Sequence, residues 1–161
     1  MIPEVTCHPL AAAAELLYFA LLLVGAGWDI ACRRLPNWLT LAVALAFIPW
    51  SLASGMGVND YVLSGLAAAI CFGIGFGLFQ LGQMGAGDVK LIVGIALWTG
   101  LRADLVRFLM YMGIAGGFLA LLFLIVRLVG KRHLGELPYG VAIVVGALIV
   151  RLHATACFVW L

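Results

Sequence analysis

Two aspartates in a strongly apolar chain are the residues best suited to chemistry. Asp29 opens the segment Asp-Ile-Ala-Cys-Arg-Arg-Leu-Pro-Asn, and Asp88 closes the segment Gly-Ala-Gly-Asp. Charged residues beside a hydrocarbon core are costly, so they occur mainly where they act or pair. Two carboxylates held close together share a proton, so one can activate water while the other polarises a carbonyl group. The pair therefore predicts acid–base hydrolysis of a peptide bond.

Each aspartate also has a simpler explanation. Asp88 precedes an apolar run, where an aspartate commonly caps the N-terminus of a helix. Asp29 ends the first apolar run, where the helix dipole disfavours an anion, so an ion pair with Arg33 or Arg34 would account for it. Lys90 either keeps Asp88 charged or extends its ammonium group to the membrane surface, and the second is favoured. Capping does not exclude catalysis.

The composition predicts an integral membrane protein. The 161 residues are 66% hydrophobic and 10% charged, whereas soluble domains are about 45–50% apolar and about 25% charged. A net charge of +2 is too small to indicate nucleic-acid binding. The polar stretches are too short for a soluble domain, so residues 1–161 are expected to form one membrane domain. The first apolar run lacks a preceding basic residue and is therefore expected to be a retained span, not a signal peptide.

Hydrophobic runs predict an all-α bundle of about six transmembrane helices. The expected spans are residues 10–27, 38–53, 62–81, 108–126 and 139–161, with a shorter fourth span around residues 91–101. The uncharged part of the fourth, residues 91–101, has about half of the roughly 20 residues that a crossing needs. If this span were extended to the full length of a crossing, Asp88 and Lys90 would lie at membrane depth, and the glycine-containing backbone just before them would be irregular. Irregular backbone at that depth is tolerated only where it lines a wet cavity or is buried in protein. Asp88 is therefore expected to face a cavity.

The distribution of basic residues predicts the orientation. Cytoplasmic loops are enriched in Lys and Arg, which places both chain termini outside. The expected inside residues are Arg33, Arg34, Lys90, Arg127, Lys131 and Arg132. Arg102 and Arg107 then lie outside, and Arg151 in the last span is expected to extend to the outer interface. Because two spans separate Asp29 from Asp88, both aspartates are expected at the cytoplasmic face.

The remaining reactive residues do not form a second site. The single cysteines (Cys7, Cys32, Cys71, Cys157) and histidines (His8, His133, His153) predict neither a metal site nor a bound cofactor. No serine lies in a G-x-S-x-G elbow. Among the other acids, Asp60 is expected to cap a helix, Asp104 to pair with Arg107, Glu136 to be solvated, and Glu15 has no assignable partner. The G-x-x-x-G spacings at 73–77 and 113–117 favour helix packing, either internally or in a dimer.

Three segments together resemble a known family. Gly85-Ala86-Gly87-Asp88 is similar to the G-x-G-D motif of the type IV prepilin peptidases, and the segment from Asp29 to Leu35-Pro36-Asn37 is similar to their other aspartate motif. The segment 137–143 resembles a third, P-Y-G-x-A-I. The matching positions are Asp29, Pro36, Asn37, Gly85, Gly87, Asp88, Lys90, Pro138, Tyr139 and Gly140.

The resemblance implies a membrane aspartic endopeptidase of the GxGD type, with Asp29 and Asp88 as its catalytic pair and without a cofactor. Such enzymes remove the short basic leader of prepilins at the cytoplasmic face of the bacterial inner membrane, and other pilus assembly proteins are further expected partners. Larger members also carry paired cysteines and methylate the new terminus. Because this chain lacks those pairs, it resembles the short CpaA/TadV-type branch of Flp pili, and methyltransferase activity is not expected.

Two other functions use the same features. A small transporter or proton-conducting subunit would also contain intramembrane carboxylates and broken helices. It would need an inverted repeat or a polar stripe through the spans, and neither is visible in the sequence. A structural component of pilus assembly would retain the motifs without hydrolysis.

A cysteine-free variant tests the interpretation of the four thiols. If they are only small apolar side chains, replacing all four with serine leaves peptidase activity within about twofold of the wild type. The measurement is cleavage at equal membrane levels of the two proteins. Loss of activity at an unchanged membrane level would instead give one of the thiols a functional role.

Overall fold

The structure is a computed structural model that describes residues 8–130 and 138–154. Within those residues it contains six α-helices and no strand, which confirms the all-helical prediction. The helices are α1 Pro9–Cys32, α2 Asn37–Ala53, α3 Val58–Gln80, α4 Ala86–Thr99, α5 Ala103–Gly130 and α6 Tyr139–Ala154. The predicted positions of Lys131, Arg132, His133, Glu136, Cys7 and Cys157 lie outside the described residues.

Three of the helices are long and apolar enough to cross a membrane: Pro9–Cys32, Val58–Gln80 and Ala103–Leu128. Helices α2 and α6 are shorter apolar helices. Helix α4 has 14 residues, a length of about 21 Å at 1.5 Å per residue, against a hydrocarbon core of about 30 Å. The large apolar side chains on the outer faces of the helices therefore have lipid as their natural solvent, and α4 is the short element that the hydropathy predicted.

Several boundaries differ from those predicted from hydropathy. Helix α1 continues to Cys32, so Asp29 is helical, and Arg127 belongs to α5 and not to a loop. Helix α3 begins before the apolar run because the N–H of Gly57 donates a hydrogen bond to Oδ2 of Asp60, 3.1 Å away. A polar capping residue such as Asp60 lies outside the apolar run, so hydropathy alone does not show that the helix begins there.

Helix α4 lies at the centre of the bundle. It packs on α3 and α2, and also contacts α6 and α5, while α1 packs on α2 and α6. Its side chains are buried on nearly all sides, including Leu91, Ile92, Ile95 and Trp98. A helix that is apolar all round belongs in the interior. The N-terminus of α4, which carries Asp88, is thereby held by the whole bundle.

Close helix contacts use other glycines than the G-x-x-x-G spacing predicted. A Cβ atom on Gly146 would lie 2.8 Å from the backbone N of Met112, and one on Gly75 would lie 2.8 Å from Cγ1 of Val89. By contrast, a Cβ at Gly73, Gly77, Gly113 or Gly117 would meet no atom within 4 Å. Of the two uses considered for these spacings, internal packing does not apply to these four glycines, and their use in a dimer stays a prediction.

The end of the bundle away from Asp29 and Asp88 carries three ion pairs. Asp104 pairs with Arg107 at 2.8 Å, as predicted, and Asp60 pairs with Arg102. Arg151 was predicted to extend to the outer interface, and this is wrong, because its guanidinium group pairs with Glu15 inside the bundle. Sequence reasoning had left Glu15 without a partner. An ion pair between the first and last helices is not visible in local spacing.

Gly146 and Gly117 give a matched test of this packing. Gly146→Ala is expected to destabilise the protein by about 1–3 kcal/mol, because the new methyl group meets the backbone of α5. Gly117→Ala is expected to be neutral or to stabilise by about 0.5–1 kcal/mol, because the site is open and alanine favours helix. Thermal unfolding in detergent measures both. Equal melting temperatures for the two variants would contradict the packing at Gly146.

Candidate active site

The carboxylate of Asp29 is held by the N-terminus of another helix. Asp29 lies in the last turn of α1 and is only 4% exposed. The backbone N–H of Val141 donates to its Oδ2 at 3.3 Å, and the backbone of Gly140 also hydrogen-bonds it. Both donors belong to the first turn of α6, where the free N–H groups and the helix dipole favour an anion. This contact compensates the unfavourable position of Asp29 on its own helix.

An ion pair with Arg33 or Arg34 does not account for Asp29. Within residues 8–130 and 138–154, neither arginine forms a salt bridge with it. Arg33 ends α1 in the left-handed conformation, with φ at 52°. Its N–H still donates to the backbone carbonyl of Asp29 at 2.8 Å. Arg33 therefore directs the chain out of the helix, and its side chain does not neutralise the carboxylate.

Gly140 provides the space for this arrangement. A Cβ atom there would lie 2.8 Å from both Cγ and Oδ2 of Asp29, closer than side chains approach each other. Pro138 precedes the helix, and its carbonyl accepts a hydrogen bond from Val141 N–H at 3.3 Å. The Pro-Tyr-Gly segment thus begins α6 and leaves its first turn open to a carboxylate from α1.

Asp88 occupies the first turn of α4 and not the capping position that was predicted. Gly85 is the N-cap residue, and the carboxylate of Asp88 turns back to hydrogen-bond the Gly85 backbone. This is the acidic half of a capping box, in which the third helical residue reaches the N-cap N–H. The side chain therefore supports the helix end and lies against glycine backbone.

The two aspartate motifs are packed against each other. A Cβ atom on Gly87 would lie 3.0 Å from Cβ of Leu35 and 3.3 Å from its carbonyl oxygen. The ammonium group of Lys90 donates to Oδ1 of Asn37 at 2.7 Å, which ties α4 to the first residue of α2. Pro36 is the N-cap of α2. This contact of Lys90 was not expected from the sequence, and it joins the two motifs.

Both aspartates line one open cleft of about 890 Å³ at the same end of the bundle. The side chains and backbone that surround it belong to Asp29, Arg33, Arg34, Leu35, Asn37, Leu78, Gly82, Gln83, Met84, Gly85, Ala86, Gly87, Asp88 and Tyr139. Asp88 stands at the polar end of α4, outside the three spanning helices. Burial and the nearby charge of Asp29 raise the pKa of Asp88 to about 6, against a smaller opposing effect of the Gly85 hydrogen bond.

The cleft contains features that sequence reasoning missed. Val141 acts through its backbone N–H, and Leu35 through its contact with Gly87, so the type of neither side chain signals its role. Gln83 and Met84 line the cleft because the chain turns there, with Gly82 at φ 69°. In the part of the chain that the structure describes, no group of three or more His, Cys, Asp or Glu could hold a metal ion.

Comparison with models of known protein families gives a match. The model of the type IV leader peptidase family matches residues 16–125, well over half of the chain and including both aspartates. The α6 segment that holds Asp29 lies beyond the matched residues. No curated protein and no solved structure gives a significant match.

Substitution of Gly140 tests whether the α6 N-terminus must hold Asp29. Gly140→Ala is expected to lower peptidase activity by about 10²-fold, because the methyl group displaces the carboxylate by an ångström or more. Gly27→Ala is the control, since it lies near Asp29 on α1 and a Cβ there meets no atom within 4 Å. Cleavage rates at equal membrane levels measure the effect. Wild-type activity in Gly140→Ala would show that the contact is dispensable.

Proposed function

The chain belongs to the type IV leader peptidase family, and from this premise we propose that Asp29 and Asp88 are the catalytic pair of an aspartic endopeptidase that removes the leader of a prepilin. The observation that carries the proposal is the common cleft. Two carboxylates from helices distant in sequence line one open cavity beside glycine backbone. Such a pair shares a proton and can activate water without another reactive group.

The surroundings of the two side chains suggest how the proton is divided. Two backbone N–H groups hydrogen-bond to the carboxylate of Asp29 and stabilise it, and the pKa of Asp88 is raised to about 6. We therefore assign the shared proton to Asp88. Water bound between them transfers a proton to Asp29 as its oxygen attacks the scissile carbonyl carbon, which Asp88 polarises. The proton taken from water then passes to the leaving nitrogen, and the carbon–nitrogen bond breaks.

The wall of the cleft suits an extended peptide. Gly82 lines the cleft, and a Cβ atom added there would meet no atom within 4 Å. A substrate strand can therefore approach the backbone closely at this point and hydrogen-bond to it. We propose that the leader occupies the cleft while the apolar helix that follows it stays in the bilayer. Arg33 and Arg34 also line the cleft and repel basic leader residues, which favours a path for those residues away from the end of α1.

The charges at the two ends of the bundle support a cytoplasmic cleft. Among the described residues, four basic side chains lie at the cleft end (Arg33, Arg34, Lys90 and Arg127) and three at the other (Arg102, Arg107 and Arg151). Cytoplasmic ends are richer in basic residues. We therefore propose that the enzyme acts at the inner face of the cytoplasmic membrane on Flp-type prepilins. Residues 1–161 contain no C-x-x-C pair, and N-methylation is not included in the proposal.

The interior of the bundle disfavours the transporter alternative. Between the cleft and the Glu15–Arg151 pair, the described core is filled with fully buried apolar side chains such as Leu22, Leu91, Ile95 and Ile143. A proton or solute pathway needs polar groups or water through this layer. The cleft thus serves chemistry at one face of the membrane.

The catalytic roles predict the behaviour of two conservative variants. Asp29→Asn and Asp88→Asn are each expected to lower cleavage of a co-expressed Flp-type prepilin by about 10³-fold, because an amide can neither accept nor share the proton. The size shift and N-terminal sequence of the pilin measure processing. Asp104→Asn, which changes an exposed pair at the other end, is the control. Processing that survives either cleft substitution would reduce that aspartate to a structural role.

The pKa of Asp88 predicts the pH dependence. Asp88 is protonated below its pKa of about 6, and the mechanism needs one proton on the pair. We therefore expect kcat/KM for a prepilin peptide to fall as the pH rises above about 6, because the shared proton is lost. Thermal unfolding at each pH controls for stability. A rate that instead rises between about pH 6 and 8 would assign Asp88 as the base.

A further inference from the structure

The Glu15–Arg151 pair lies far from the cleft and has no part in the proposed chemistry. Glu15 belongs to α1 and Arg151 to α6, and each side chain is only 11% exposed. The same two helices meet at their other ends, where Asp29 contacts Gly140 and Val141. Helices α1 and α6 are therefore antiparallel and joined at two polar contacts, one at each end of their common length.

The guanidinium group of Arg151 contacts two tryptophan rings as well as Glu15. It stacks over the ring of Trp50 at 4.3 Å and over that of Trp98 at 5.2 Å. Trp98 is itself positioned, because its Nε1–H donates to the carbonyl of Val43 at 2.9 Å and its ring packs on Tyr18 at 4.3 Å. Side chains from α1, α2, α4 and α6 thus determine where Arg151 lies.

Stability alone is a weak reason for such a pair. Removing two charges from water is costly, and well-packed apolar residues of similar size often stabilise a protein equally or better. A buried ion pair differs from apolar packing in permitting one relative position of its helices, as buried polar residues do in coiled coils. Apolar side chains would allow α6 to slide along α1.

The contact at Asp29 is sensitive to such sliding. A shift of α6 by one residue is about 1.5 Å along its axis. The Val141 N–H to Asp29 Oδ2 distance is already 3.3 Å, near the upper limit for a hydrogen bond. A shift of this size therefore removes the donor from Asp29 and changes the position of its carboxylate against Asp88.

We propose that Glu15 and Arg151 are positioning residues for the peptidase, which set the register of α6 against α1 and thereby hold the α6 N-terminus on Asp29. The proposal rests on the catalytic role proposed for Asp29. Neither residue lines the cleft. We therefore expect this ion pair to affect the rate of cleavage and not the binding of the leader.

An apolar replacement of the pair separates positioning from stability. In the double variant Glu15→Leu with Arg151→Met, the charges are absent but the volume is largely kept. We expect a melting temperature close to that of the wild type, a kcat for a prepilin peptide lower by about tenfold or more, and a KM within about twofold. Arg102→Gln, which breaks the exposed pair with Asp60 at the same end, is the control and should keep wild-type kcat.

A wild-type kcat in the folded double variant would overturn the proposal and leave the pair a structural role. If the double variant does not fold, Glu15→Asp provides the test. It keeps the charge but shortens the side chain by one methylene, so it should lower kcat without a matching loss of stability, and an unchanged kcat would overturn the proposal. Failure of the proposed function is distinguishable, because processing would then survive in Asp29→Asn or Asp88→Asn.

Discussion

The contact between the Asp29 carboxylate and the N-terminus of α6 is the interaction on which the site depends. A carboxylate that is 4% exposed in an apolar bundle needs donors, and the last turn of α1 offers none. The first turn of α6 supplies them from Gly140 and Val141. This requires a residue without a side chain at position 140 and brings together the first and last helices. The position of the whole of α6 therefore affects the carboxylate for which a catalytic role is proposed.

The second aspartate is positioned by the centre of the bundle. Helix α4 is too short to cross the membrane, yet it is surrounded by four other helices. Its N-terminus packs against Leu35 through Gly87 and against Asn37 through Lys90. The two motifs therefore form one structural unit at the cleft.

Sequence patterns predicted the helices better than they predicted which face of each helix packs inside the bundle. Hydropathy predicted six helices, a short fourth helix, and the placement of both aspartates at the same end of the bundle. These features depend only on the lengths of the apolar runs and on the number of crossings between the aspartates. The G-x-x-x-G spacings left internal packing and a dimer open, and inside the bundle the closest contacts between helices include those at Gly75 and Gly146 instead. The spacing of the glycines predicts that a helix has one flat face. Only the packing of the whole bundle decides whether that face is directed inward or toward lipid.

The sequence by itself determined that this is a membrane protein with two aspartate motifs similar to those of a peptidase family, since the cost of charge in lipid and the resemblance of local motifs can be read along the chain. The tertiary structure alone decided what holds those motifs. It paired Asp29 with α6, Lys90 with Asn37, and Glu15 with Arg151. These partners are 112, 53 and 136 residues apart, and no local pattern specifies which of the available groups the packed helices bring together.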